Sequence, residues 1–260
     1  VGDRVAALVR FGGYADVVVV PVGQVHRLAE NVTFEQAAAI PVNWLTAWLM
    51  LVHLGNVHAG ERVLIHAAAG GVGQAAVQIA RSRGAEVIGT ASASKHDRLR
   101  EAGVAHCIDY RTQDFEVEVK RITGGKGVHV VLDAVGGPSF RKSYQCLAPL
   151  GRMYLFGISS FATGQTRTAS LWSAVTGLWA MPSFKAIPLM NDNRGVHGVN
   201  LGHLWDEGEA IGGMLRELLD RVADGTFRPV IDATVPFDRA HEAHARLQSH
   251  GNFGKVLLIP

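Results

Sequence analysis

The chain is poor in the residues that mark specialised protein classes. Only two of its 260 residues are cysteines, Cys107 and Cys146. Two cannot build a disulfide scaffold, and they fit a reduced, cytoplasmic setting. Charge is scarce and nearly balanced, with 25 Lys and Arg against 23 Asp and Glu. That balance argues against nucleic acid or an anionic membrane surface as a partner. No apolar run reaches the roughly eighteen residues that suggest a membrane span. The nearest stretch, 37–54, is interrupted by Pro41, Asn43, Thr46 and His53, and reads as a core helix. No signal-peptide pattern is visible. The first residue is Val1, not Met, and "DRVAALV" opens as a strand, so we expect an amino-terminal part of a larger protein to precede it. What the chain does have is apolar residues (48%) and 30 glycines, the latter at the ends of predicted elements. That is enough apolar material for a real core in one or two domains.

Residues 1–30 read as short β segments, "DRVAALV" and "YADVVVV", with Gly12 and Gly13 as a turn. Thr33 is a natural cap for the helix "FEQAAAI", and Pro41 suits the first turn of a helix "VNWLTAWLMLVHLG". From Glu61 the rhythm becomes strand, helix, strand, helix. Five apolar strands, "RVLIHA", "EVIGT", "AHCIDY", "GVHVVLDAVG" and "GRMYLFG", are separated by single helices. Such alternation predicts an α/β fold with a doubly wound parallel sheet and right-handed crossovers. "RGVHGVNL" reads as a sixth strand. The helices "GEAIGGMLRELLDRVADG" and "FDRAHEAHARLQSHG" and a last strand "GKVLLIP" follow.

Residues 66–76 read "HAAAGGVGQAA". Set against the dinucleotide fingerprint G-x-G-x-x-G, the key positions are Ala68, Gly70 and Gly73. The turn lies between an apolar strand and a helix whose amino terminus favours phosphate. A glycine pair at such a turn also has a purely structural reading. An acid that holds a ribose hydroxyl belongs about twenty residues further on. There the chain reads "VIGTASASK" and offers no carboxylate. A carboxylate repels a 2′-phosphate, and its absence leaves room for one. Ser92 and Ser94 can donate hydrogen bonds, Lys95 brings positive charge, and Tyr110 at the end of the next strand adds a phenolic donor. We therefore expect NADPH rather than NADH, with Gly89-Thr90 letting the phosphate approach. The same "SASK" reads also as an ordinary helix start with Ser94 as N-cap.

The blocks "AAAIPVNWLTAW", "GERVLIHAAAGGVGQAAVQIA", "GAEVIGTASASKHDRL", "GVHVVLDAVGG", "LAPLGRMYLFG" and "GKVLLIP" occur in that order. Together they resemble the medium-chain dehydrogenase/reductase superfamily in its zinc-independent quinone oxidoreductase branch. "GTASASKH" and "NRGVHGVNLGHL" are most similar to the vesicle amine transport protein homologues of that branch. The resemblance implies a Rossmann-type dinucleotide-binding domain, residues 43–197, inserted in a GroES-like β-rich catalytic domain of residues 1–42 and 198–260. It also implies a homodimer joined through the sixth strands.

Carried over by position, the resemblance places Asn43, Thr46, the pyrophosphate loop Gly70, Gly71, Val72 and Gly73, and Asn252 at the cofactor. Val135, Phe156, Gly157, Ser159, Val199 and Asn200 line its nicotinamide half. Asn43 also has a reading as a helix-start residue that satisfies backbone, and Asn252 reads equally as a plain turn residue. Zinc-dependent relatives carry a Cys where this chain has Val42, and the remaining ligands for zinc are lacking. His241 and His244, three apart on a helix, read as a solvated face. The expected activity is hydride transfer from NADPH to a quinone or an α,β-unsaturated carbonyl. Alternatives are an enoyl reductase of polyketide or fatty-acid type, in which Lys95 and Asp114 stand where proton donors are proposed, and a vesicle-protein-like NADPH-binding protein with little catalysis. In the latter, "SLWSAVTGLWAMPSFKAIPLM" would touch lipid or a partner, although the subunit interface or the substrate-cleft wall is the plainer reading.

Overall fold

The computed structural model describes residues 1–159 and 181–260. The first half of the Trp-rich segment therefore lies outside the described residues. The chain divides into two compact units, one of Val1–Leu49, Ala69–Ile79 and Asn200–Pro260, the other of Met50–Ala68 and Ala80–Val199.

The second unit is built on a six-stranded sheet. Its strands are β3 (Arg62–Ile65), β4 (Glu86–Ala91), β5 (His106–Asp109), β6 (Val128–Asp133), β7 (Leu147–Leu155) and β8 (Gly195–Gly198). The order is β5-β4-β3-β6-β7-β8 and every pairing is parallel. Val63, Leu64, Ile65, Ile88, Val130, Val131, Leu132 and Met153 are at most 1% exposed. Central strands buried on both faces read as continuous apolar runs, which is why this part of the fold is so visible in the sequence. In sequence the strands are separated by α3 (Gly71–Ser82), which belongs to the first unit up to Ile79, and by α4 (His96–Glu101), α5 (Phe115–Ile122), α6 (Pro138–Gln145) and α7 (Ala186–Asp192) of the second. The strand order reverses direction between β3 and β6. In open α/β sheets that switch point, at the carboxyl ends of the strands, is where ligands bind.

The first unit holds a small antiparallel pair, β1 (Val5–Ala7) with β2 (Val25–Arg27), and a parallel pair, β9 (Ile231–Pro236) with β10 (Lys255–Ile259). Its helices are α1 (Phe34–Ala39), α2 (Asn43–Trp48), α8 (Gly208–Ala223) and α9 (Ala240–Gln248). Thr33 and Gln36 close a reciprocal capping box on α1. Trp44 and Trp48 pack on Phe227, with ring centroids 4.9 and 6.0 Å away.

Two predicted elements differ, and one strand was not predicted. "YADVVVV" forms no strand, and Val17 and Val19 are 82% and 97% exposed. β-branched residues favour a pleated surface only where a neighbouring strand receives them, and none of the described strands pairs here. The helix predicted over 42–55 is α only from Asn43 to Trp48 and continues as a π-turn, Leu49–His53. It ends where Gly55 comes so near the Met50 carbonyl that a Cβ would lie 2.1 Å from it. β9 is an element that the sequence reading passed over.

Candidate functional site

The glycine turn begins with strain. Ala67, just past β3, has φ +50°, a conformation that costs a non-glycine residue about 1–2 kcal/mol. Thr90, at the end of β4, pins it: the Ala67 N–H donates to Thr90 Oγ1 at 3.3 Å and the Ala68 N–H to the Thr90 carbonyl at 3.0 Å. Ala68, which replaces the first glycine of the fingerprint, is fully buried. It fits because Gly89 has no side chain; a Cβ there would lie 2.9 Å from the Ala68 methyl and 3.2 Å from Val104. Gly89 and Thr90 thus receive the turn.

Within the first unit, the closing segment docks on the glycine turn. The Gly254 N–H donates to the Ala69 carbonyl at 2.9 Å and Gly70 bridges Gly254. The Asn252 side chain donates to the Gly254 carbonyl at 3.0 Å. Asn43 lies against the turn from α2: a Cβ on Gly71 would fall 1.9 Å from Asn43 Nδ2. Gly71 therefore serves close approach, not an unusual dihedral. Thr46, one turn along α2, is buried and donates its hydroxyl proton to the Val42 carbonyl at 2.8 Å. Its oxygen can meet a cofactor only as an acceptor. Gly71, Val72 and Gly73 form the first turn of α3, whose N–H groups have no partner within the helix and suit phosphate oxygens. Asn200 caps a short 3₁₀ turn by accepting from Gly202 N–H at 3.0 Å.

The second unit gathers the other predicted positions. The loops after β6 and β7 are tied together: Phe156 N–H donates to the Asp133 carbonyl at 3.1 Å, and Ser159 N–H to the Ala134 carbonyl at 2.9 Å. A Cβ on Gly157 would press on Ala134 at 3.1–3.3 Å. Val135, Phe156, Gly157 and Ser159 thus share one edge of the sheet, and Val199 follows β8 with its N–H on the Leu155 carbonyl at 2.9 Å.

At the end of β4, Ser92 and Ser94 point their hydroxyls at each other, 3.3 Å apart. Ser94 lies inside a 3₁₀ turn, Ala93–Lys95, and caps nothing; α4 begins after Lys95 without a side-chain cap. The helix-start reading of Ser94 is therefore corrected. Tyr110 follows β5 and is half exposed, with the Arg111 guanidinium 6.0 Å from its ring centre. One carboxylate that the sequence reading missed ends β5. Asp109 pairs in register with Ala91 of β4 and accepts from the Arg111 N–H at 3.1 Å and the Thr112 hydroxyl at 3.0 Å. Those bonds lower its carboxyl below the ordinary value, the Arg111 N–H contributing most.

Asp114 caps α5 by accepting from the Glu116 N–H at 2.9 Å and pairs with Lys142. Its carboxylate is thus spent on structure. Where zinc-dependent relatives carry a Cys, Val42 has no donor atom. Among the described residues, no three His, Cys, Asp or Glu side chains gather closely enough to hold a metal ion.

With that geometry in view, comparison with known proteins is informative. A family profile described as zinc-binding dehydrogenase matches residues 102–258, more than half the chain. A human protein named synaptic vesicle membrane protein VAT-1 homolog is 42% identical over 260 residues, covering 100% of this chain and 65% of the relative. Quinone oxidoreductase structures from Pseudomonas syringae pv. Tomato DC3000 and from Escherichia coli, the latter complexed with NADPH, superpose with TM-scores of 0.83 and 0.82. They are 33% and 32% identical, and the alignments cover 100% of this chain and 75% and 76% of theirs. The chain belongs to the zinc-binding dehydrogenase family of medium-chain dehydrogenases/reductases, with the α/β fold of its quinone oxidoreductases.

Proposed function

We propose that the protein is an NADPH-dependent, zinc-independent oxidoreductase that reduces a quinone or an α,β-unsaturated carbonyl. One observation carries the cofactor choice. The end of β4 presents two serine hydroxyls and a lysine where an NAD-selective site needs a carboxylate, and neither serine is spent on capping. The E. coli relative, crystallised with NADPH, supports the same reading. In this reading residues 43–197 are the dinucleotide-binding domain, and 1–42 with 198–260 belong to the GroES-like domain.

The nicotinamide ring would supply the hydride. This chain's part is binding and orientation. The first turn of α3 meets the pyrophosphate, and Ser92, Ser94, Lys95 and Tyr110 meet the 2′-phosphate. The joined loops of Val135, Phe156, Gly157 and Ser159, followed by Val199 and Asn200, hold the nicotinamide half. Thr46, Asn43 and Asn252 complete the contacts. Fixing the donor against the acceptor is itself a large part of the rate. No metal step is needed, and the donor set at Val42 offers none.

Recording NADPH oxidation against a panel of quinones and enones tests the reading. Turnover with at least one class is expected. Tight NADPH binding without any turnover would instead favour the alternative of a nucleotide-binding protein of vesicle-protein type, a reading that the name of the human relative supports.

A further inference from the structure

A chain of buried polar side chains crosses the sheet of the second unit at the switch point. His66 directly follows β3 and its side chain is 2% exposed; Asp133 ends β6 and is completely buried. His66 Nδ1 lies 3.2 Å from Thr90 Oγ1, and Nε2 lies 3.0 Å from Ser143 Oγ on α6. Asp133 Oδ2 accepts from the Ser143 hydroxyl at 2.6 Å and from the Ser139 hydroxyl at 2.8 Å. Its other oxygen accepts from the Val135 N–H at 2.7 Å. The Phe115 ring seals the imidazole edge-on, with centroids 4.5 Å apart.

The proton count fixes the direction of every bond. A carboxylate only accepts, so Ser143 gives it the one hydroxyl proton it has. Ser143 must then accept from His66 Nε2–H. A neutral imidazole carries one N–H, so Nδ1 is an acceptor and takes the Thr90 proton. Thr90 in turn accepts from the Ala67 N–H. The chain therefore runs one way: Ala67 N–H, Thr90, His66, Ser143, Asp133. Burial holds His66 below the ordinary imidazole range against the pull of Asp133, in keeping with a neutral ring.

We propose that this one-way relay positions two loops as a unit: the strained turn at Ala67 that opens the pyrophosphate motif, and the Val135 loop assigned above to the nicotinamide. Thr90, His66, Ser143 and Asp133 are positioning residues, buried away from the reacting atoms. Only the second part, the link to cofactor, rests on the functional reading of the preceding section.

Two measurements test it without any nucleotide. Nitrogen-15 spectra of histidine-labelled protein should show His66 with its proton on Nε2 and a bare Nδ1. The opposite tautomer, or an imidazolium at neutral pH, overturns the relay. Amide exchange then tests the coupling. Ser143→Ala should speed exchange at Ala67 about fivefold or more, although Ser143 has no hydrogen bond to it, since an orphaned buried donor is costly. If that variant does not fold, Thr90→Val against Thr90→Ser gives the same answer at Val135: faster exchange with valine, near wild type with serine. Equal exchange in folded variants and wild type overturns the proposal. With the nucleotide added, Thr90→Val should weaken NADPH binding about tenfold while Thr90→Ser keeps it, on the same reasoning. A wild-type protein that binds no NADPH would sink the functional reading and leave the exchange result standing.

Discussion

Gly71 has no room for a side chain, because the Asn43 amide occupies the place where a Cβ would stand. Gly71→Ala must displace that amide, and crowding of this kind costs about 1–3 kcal/mol. We expect a loss in that range by chemical denaturation, and less than half of it in an Asn43→Ala background, where the obstacle is gone. An equal loss in both backgrounds would show that the contact is unimportant. Legibility in the sequence also divides at this scale. Gly70, Gly71 and Gly73 are visible because backbone approach needs glycine in a fixed pattern. The absent acid after β4 is visible because it breaks that pattern. The part that Gly89 and Thr90 play in holding the turn was illegible, since nothing in a linear sequence shows that Ala68 packs on one and Ala67 bonds to the other. His66, Ser143, Ser139 and Asp133 lie up to 77 residues apart and become a set only when β3, β6 and α6 meet. Asp109 was passed over because its nearness to Ala91 depends on strand register.

At the scale of elements, one buried ion pair binds the amino end of the sheet. Arg152 of β7 donates to both carboxylate oxygens of Glu61, at 2.7 and 2.9 Å, and to the Gly55 carbonyl at 2.7 Å. Burial pushes the Glu61 carboxyl up, but the Arg152 bonds, the His58 N–H and the charges of Arg152 and His58 outweigh it and hold the group low. A lowered carboxyl stabilises the fold fully above its unfolded value, near pH 4.5, and that stability is lost as pH falls through the folded value. Melting temperature should therefore fall below about pH 4.5, and this drop should shrink in Glu61→Gln. Arg152→Met leaves Glu61 buried without its partner and should cost about 3–5 kcal/mol. The double variant Glu61→Leu with Arg152→Met should cost much less. The elements themselves were legible where burial dictates composition, as in β3, β4 and β6. They were illegible where pairing decides: "YADVVVV" has strand composition but no strand partner among the described residues, whereas β9 is a strand because β10 lies beside it.

At the scale of the molecule, β8 ends the six-stranded sheet, and among the described residues its only neighbour is β7. Such an edge invites pairing with a second copy. We expect light scattering to report a dimer at micromolar concentration, and a monomer there would contradict that assembly. No helix among the described residues is long and apolar enough to cross a membrane. The vesicle-protein-like alternative expects peripheral contact with lipid. Liposome flotation tests it. The proposed function depends most on which nicotinamide cofactor binds. Serine hydroxyls and a lysine after β4, with no carboxylate at that strand end, favour a 2′-phosphate over a free ribose hydroxyl. The most direct measurement is calorimetric titration of the protein with NADPH and with NADH under identical conditions. The account predicts that NADPH binds at least about tenfold more tightly, since a charge-assisted contact contributes about 1.5–3 kcal/mol. Equal affinities, or tighter binding of NADH, would contradict it.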